Sequence, residues 1–90
     1  MDTTFSLFNQ INSLSYWLLL ESNYKSSVTL DADSDTYVVA IKKGAAYLYT
    51  HSISSFSKKN KRYLQFELTT IVNQLLHIKD SMNDMRVKSA

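Results

Sequence analysis

Residues 36–53 read Thr36-Tyr-Val-Val-Ala-Ile-Lys-Lys-Gly-Ala-Ala-Tyr-Leu-Tyr-Thr-His-Ser-Ile53, and the fold class turns on them. Thr36 to Ile41 is rich in β-branched and aromatic residues, which fit a pleated surface. Lys42-Lys43-Gly44 is a turn signal. Tyr47, Tyr49, His51 and Ile53 then alternate with Leu48, Thr50 and Ser52. This is the pattern of two strands joined by a hairpin. A helical reading competes, because Tyr37, Ile41, Ala45 and Leu48 also fall on one helical face. It would set Gly44 inside a helix at a cost of ~1 kcal/mol relative to Ala. The Val38-Val39 pair and the Ser/Thr-rich end weaken it further. Strands are therefore expected, with a helix over 34–55 as the alternative.

Upstream, Val28 and Leu30 alternate with polar residues, and Asp31-Ala-Asp-Ser-Asp35 forms a turn-prone cluster. Residues 27–55 thus read as a three-stranded antiparallel meander. Downstream, Leu64, Leu68, Ile71, Leu75, Ile78, Met82 and Met85 recur at alternating spacings of four and three, a helical seam over 60–86. Val72 and Leu76 widen it. Charges beside the seam are sparse, so packing against a sheet or other helices is expected over a self-pairing coil. Residues 87–90 are expected to fray.

A first helix is expected over 4–21, with Leu7, Ile11, Leu14 and Leu18 on one face and Phe8 and Leu19 beside them. Asp2, Thr3 or Thr4 can cap it. Tyr16, Trp17 and Leu20 point off the stripe. They make either a second core contact, the blander and favoured reading, or a contact surface. The expected fold is a small single α+β domain of order α-β-β-β-α, its meander flanked by two helices. The alternative is an all-α three-helix bundle.

Composition narrows the chemistry. Ninety residues hold one core, and 44% apolar with 20% charged residues is ordinary for a folded chain. With no cysteine, disulfides and thiolate chemistry are excluded; with no proline and only Gly44, so is a glycine-rich phosphate loop. The opening MDTTFSLFNQ lacks a basic signal region, and the longest apolar run is Tyr16 to Leu20. A cytoplasmic protein without membrane contact is the expectation.

Charge is graded along the chain. Residues 1–35 carry Lys25 against Asp2, Glu21, Asp31, Asp33 and Asp35, net −4; residues 57–90 carry seven basic against three acidic side chains, net +4. Separated signs can orient docking.

Candidate catalytic and metal groups fail on spacing. Asp31-x-Asp33-x-Asp35 opens like a calcium loop, but the sixth position is Thr36 rather than glycine, and the twelfth is Lys42 rather than a bidentate acid. His77, Asp80 and Asp84 share one exposed helical face and leave a metal without a closed shell. His51 sits in an alternating aromatic segment, where packing explains it. No serine lies in a glycine-flanked elbow, and nothing brings Glu21 and Glu67 together. Neither an enzyme nor a bound metal or cofactor is expected.

Lys58-Lys59-Asn60-Lys61-Arg62, followed by Tyr63, is the sharpest local feature. Four cations at a helix start can reach phosphates, and Tyr63 or Phe66 can stack. With one helix and three strands before it, Ser57-Lys58-Lys59 opening the last helix resembles the double-stranded RNA-binding domain. That resemblance implies phosphate contact by the basic stretch. Lys61 stands where that family has alanine, its glycines before the stretch and small alanines within the helix are missing, and Phe66 lies in that zone.

The leading functional expectation is a non-catalytic protein-binding regulator, an inhibitor or adaptor that occupies a partner's surface. Tyr16, Trp17, Leu20, Phe66, Met82 and Met85 are its candidate interface. Compact inhibitors from phages and mobile elements share this size. The rival expectation is RNA or DNA binding through Lys58, Lys59, Lys61, Arg62 and Tyr63. A third is a structural homodimer built on the last helix.

Overall fold

The structure, a computed structural model, describes the backbone of residues 3–89 and side chains as far as Met82. The expectations for Asp84, Met85 and a frayed 87–90 concern side chains or residues outside that range. Helix α1 spans Thr3–Glu21, strands β1, β2 and β3 span Lys25–Asp31, Thr36–Lys43 and Ala46–Ile53, and helix α2 spans Lys61–Ser89. A short 3₁₀ turn, Phe56–Lys58, precedes α2. The chain is thus α-β-β-β-α, with an antiparallel sheet in the order β1-β2-β3.

The register sets Val28 against Val39 and Val39 against His51, so alternate residues of each strand share a face. On one face Tyr37, Val39 and Ile41 of β2 are buried with Ile53. Both helices cover this face. From α1, Leu7, Ile11 and Leu18 enter the core; from α2 come Leu64, Leu68, Ile71, Val72 and Leu75. The helices run parallel, since Gln65 donates to Thr4 at one end (3.3 Å) and Lys79 lies over Trp17 at the other (5.0 Å). The opposite face of the sheet is set with small and polar residues, in the rows Ser27–Ala40–Thr50 and Thr29–Val38–Ser52.

Three sequence expectations need correction. Leu76 does not widen the buried seam; it is 39% exposed, because the helix buries Val72 and Leu75 and rolls Leu76 out. Leu19, expected beside the α1 stripe, is exposed as well. Tyr47 does not share a face with Tyr49. Ile41 pairs with Tyr49 but Lys42 pairs with Tyr47, so Leu48 is an extra residue, and this bulge turns Tyr47 out to meet the Lys42 ammonium at 5.2 Å.

The two hairpin turns are chemically distinct. Lys43 pairs with Ala46, leaving Gly44 and Ala45 to connect β2 and β3. Positive φ falls on Gly44 (64°), the first connecting residue, as a type II′ turn requires. Between β1 and β2, Asp31 Oδ1 accepts the backbone N–H groups of Asp33 (3.0 Å) and Ser34 (3.4 Å). That carboxylate builds the turn.

Candidate docking surface at the start of helix α2

Helix α2 starts where Asn60 caps it. Its Oδ1 accepts from the N–H of Arg62 (2.9 Å) and of Tyr63 (3.4 Å), and its carbonyl accepts from Leu64 (2.9 Å). The two side-chain bonds satisfy two of the backbone donors that a helix leaves orphaned at its start, and the Leu64 bond is the first of the helix ladder. They also fix where the next side chains point. Leu64 enters the core, so Tyr63 and Phe66 turn outward, 52% and 70% exposed. Arg62 lies one turn before Phe66. The Lys59 ammonium sits 5.1 Å from the Tyr63 ring centroid, close enough for cation–π attraction. Lys58, Lys61 and Arg62 are exposed, and no acidic residue stands in the first turn of α2. The positive field of the helix end and the four cations therefore add.

The acidic turn lies beside this surface. Asp35 accepts from the Ser57 N–H through Oδ1 (2.9 Å) and from the Ser57 hydroxyl through Oδ2 (2.8 Å), while its carbonyl accepts from the Phe56 N–H (2.9 Å). Residues that the sequence keeps 22 positions apart thus join the β1–β2 turn to the loop before α2. Beneath the junction Phe8, Tyr37 and Phe56 form a three-ring cluster with centroids 5.2–5.4 Å apart. The surface stands on this packed cluster. The Ser57 hydroxyl, at the start of the stretch to which the RNA-binding resemblance gives phosphate contact, is committed to Asp35.

The remaining interface candidates lie elsewhere. Tyr16 and Leu20, 61% and 62% exposed, sit at the far end of α1, so a second core contact does not account for them. Trp17 is partly buried under Lys79, and Met82 packs partly buried at the edge of the core. Phe66 and the Tyr16–Leu20 group therefore form two surfaces at opposite ends of the helix layer. Sequence reasoning missed the exposure of Phe5 (65%), Leu30 (64%) and Tyr47 (63%). Leu30 and Tyr47 lie on regular alternating patterns, and only tertiary packing reveals that nothing among the described residues covers them.

His51 bridges two elements. Its Nδ1 is 3.2 Å from the Tyr49 hydroxyl, and its Nε2 is 3.6 Å from Glu67 Oε1 on α2. Burial raises the Tyr49 pKa, so its hydroxyl keeps its proton further into the alkaline range than a free tyrosine does. Nearby, Tyr24, Leu48, Tyr49 and Ile78 line a shallow cleft of about 260 Å³. Among the described residues, no three His, Asp or Glu side chains converge as metal ligands, and no helix is long and apolar enough to cross a membrane. No family model, curated protein or solved structure matches this chain.

Proposed function

We propose that this protein is a non-catalytic regulator, working in the cytoplasm as an inhibitor or adaptor, that covers part of a protein partner through the start of α2. The carrying observation is Phe66, 70% exposed on a helix fixed at its cap, with Arg62 and Tyr63 beside it. Aromatic and arginine side chains grouped this way are the composition of binding hot spots. Lys58, Lys59 and Lys61 add positive charge, and Asp35 is held beside them through Ser57. The partner surface is therefore acidic opposite the lysines but not opposite the acidic turn, with an apolar notch for the ring. A phosphate backbone does not offer that mixed pattern.

A second reading, RNA or DNA binding, draws on the same four cations at a helix N-terminus. The acidic turn speaks against it. Asp31, Asp33 and Asp35 are anchored beside the basic run through Ser57, where a phosphate backbone would meet like charge.

Affinity capture from cells with the intact chain and with Phe66→Ala, followed by binding measurements over a salt series, tests both. A protein captured by the intact chain and lost with Phe66→Ala supports the docking reading. Retention of nucleic acid, with affinity falling steeply and linearly in log salt, would replace it with the second.

A further inference from the structure

We propose that two copies of this chain pair edge to edge through β1, antiparallel about Val28, joining their sheets into one of six strands. This pairing does not depend on the docking role of α2.

Strand β1 lies at the edge of the sheet, hydrogen-bonded to β2 alone. Every second backbone N–H and C=O of an edge strand points outward, a template for another strand. The usual protections are weak here. The β1–β2 ladder runs unbroken from Lys25 to Asp31, without proline and without a bulge, and its one lysine stands at the end. The other edge differs, because the bulge at Leu48 interrupts β3.

The strand is complementary to itself. Antiparallel pairing about Val28 sets Lys25 of each copy against Asp31 of the other, so both ends carry opposite charges. Between them Ser26 meets Leu30, and Ser27 meets Thr29. A two-fold axis repeats each contact, as closed dimers require.

Helix α1 supports the same axis. The Ser26 hydroxyl donates to the Ser15 carbonyl (2.8 Å), which places α1 above β1. From Ser26 to Val28 the strand advances about 6.6 Å. The returning helix covers that distance in roughly four residues, which brings Ile11 and Asn12 over the axis. Trp17 turns toward Lys79 of α2, so the row Phe5–Asn12–Leu19, on the other side of the Ile11 stripe, faces the β1 edge. That row is symmetric about Asn12. Phe5 is 65% exposed, Leu19 54%, and the adjacent Tyr16 61%. The axis through Val28 therefore brings the Phe5 end of one α1 toward the Tyr16–Leu19 end of the other. Leu30 fits the same arrangement. It is 64% exposed although its ladder partner Tyr37 is buried, so α1 leaves this end of β1 uncovered where the second helix arrives.

Sedimentation of the full chain over a range of concentrations, with cysteine cross-linking, tests the pairing. The expected mass is twice 10.4 kDa. Lys25→Glu sets a like charge opposite Asp31 of the other copy, and Leu30→Lys puts a charge where an apolar side chain would be covered. Both positions are exposed in the single chain, so both variants should keep a cooperative melting transition yet weaken self-association at least about tenfold. The chain holds no cysteine of its own. Chains carrying Ser27→Cys alone and Thr29→Cys alone should form a disulfide when mixed and none when separate. A monomer at every concentration would overturn the proposal, and so would a dimer that gives no mixed cross-link, as one built on α2 would.

Discussion

Asp35 and Ser57 hold two distant turns together: one carboxylate accepts both the backbone N–H and the hydroxyl of the serine, at 2.9 and 2.8 Å. Asp35 does so from a left-handed backbone, φ 54°, which aspartate tolerates better than most residues. Asp35→Ala removes both bonds and adds strain, and should cost about 1–3 kcal/mol in urea unfolding. Asp35→Gly removes the bonds while relieving the strain. It should fall between the native chain and the alanine variant; equal stability of all three would refute a tie at this site.

The Leu75 and Leu76 side chains are neighbours in sequence and opposites in role. Leu75 is fully buried in the core and Leu76 is 39% exposed. Leu75→Ala should lose about 2–5 kcal/mol, the range for a cavity in a packed core. Leu76→Ala should lose less than about 1 kcal/mol. Chemical denaturation of the two variants measures the difference directly.

That pair marks how far the sequence could be read. The alternating four-three seam located α2, and Val38-Val39 with Gly44 decided strand over helix, because period and turn chemistry are local. The element order followed from them. Periodicity alone does not say which shoulder of the seam the sheet covers, and so it sets Leu76 with Val72 although only Val72 is buried. Nor could it show the Leu48 bulge, which depends on how β2 and β3 pair. The basic run and Tyr63 were legible as a charged helix start. The closeness of Asp35 to Ser57 was not, since a contact 22 residues long leaves no spacing to read.

Tyr37 illustrates the same limit in the core. Its ring packs against Phe8 and Phe56, while its buried hydroxyl has no hydrogen-bond partner among the described residues. Burial pushes its pKa up to about 12. Tyr37→Phe keeps the packing and deletes an unpaired polar atom, so stability at neutral pH should stay equal or rise. The folded state holds this proton more tightly than the unfolded chain. Stability should therefore be intact below pH ~10 and decline as pH climbs toward ~12. Melting curves across that window should show a shallower decline for Tyr37→Phe; parallel curves would place the alkaline loss elsewhere.

Phe66 should behave unlike any of these. Its ring is 70% exposed, so Phe66→Ala should shift unfolding by no more than about 0.5 kcal/mol. If the ring fills a notch on a partner, the same change should cost about 2 kcal/mol of binding, roughly a thirtyfold loss. Charge reversal at Lys58 acts on a solvated rim position and should mainly slow association in a salt-dependent way. Calorimetry and stopped-flow mixing with the captured partner would separate the two effects. Ring loss appears in the dissociation rate, charge loss in the association rate. A Phe66→Ala chain that binds as tightly as the native one would take the docking surface away from the start of α2.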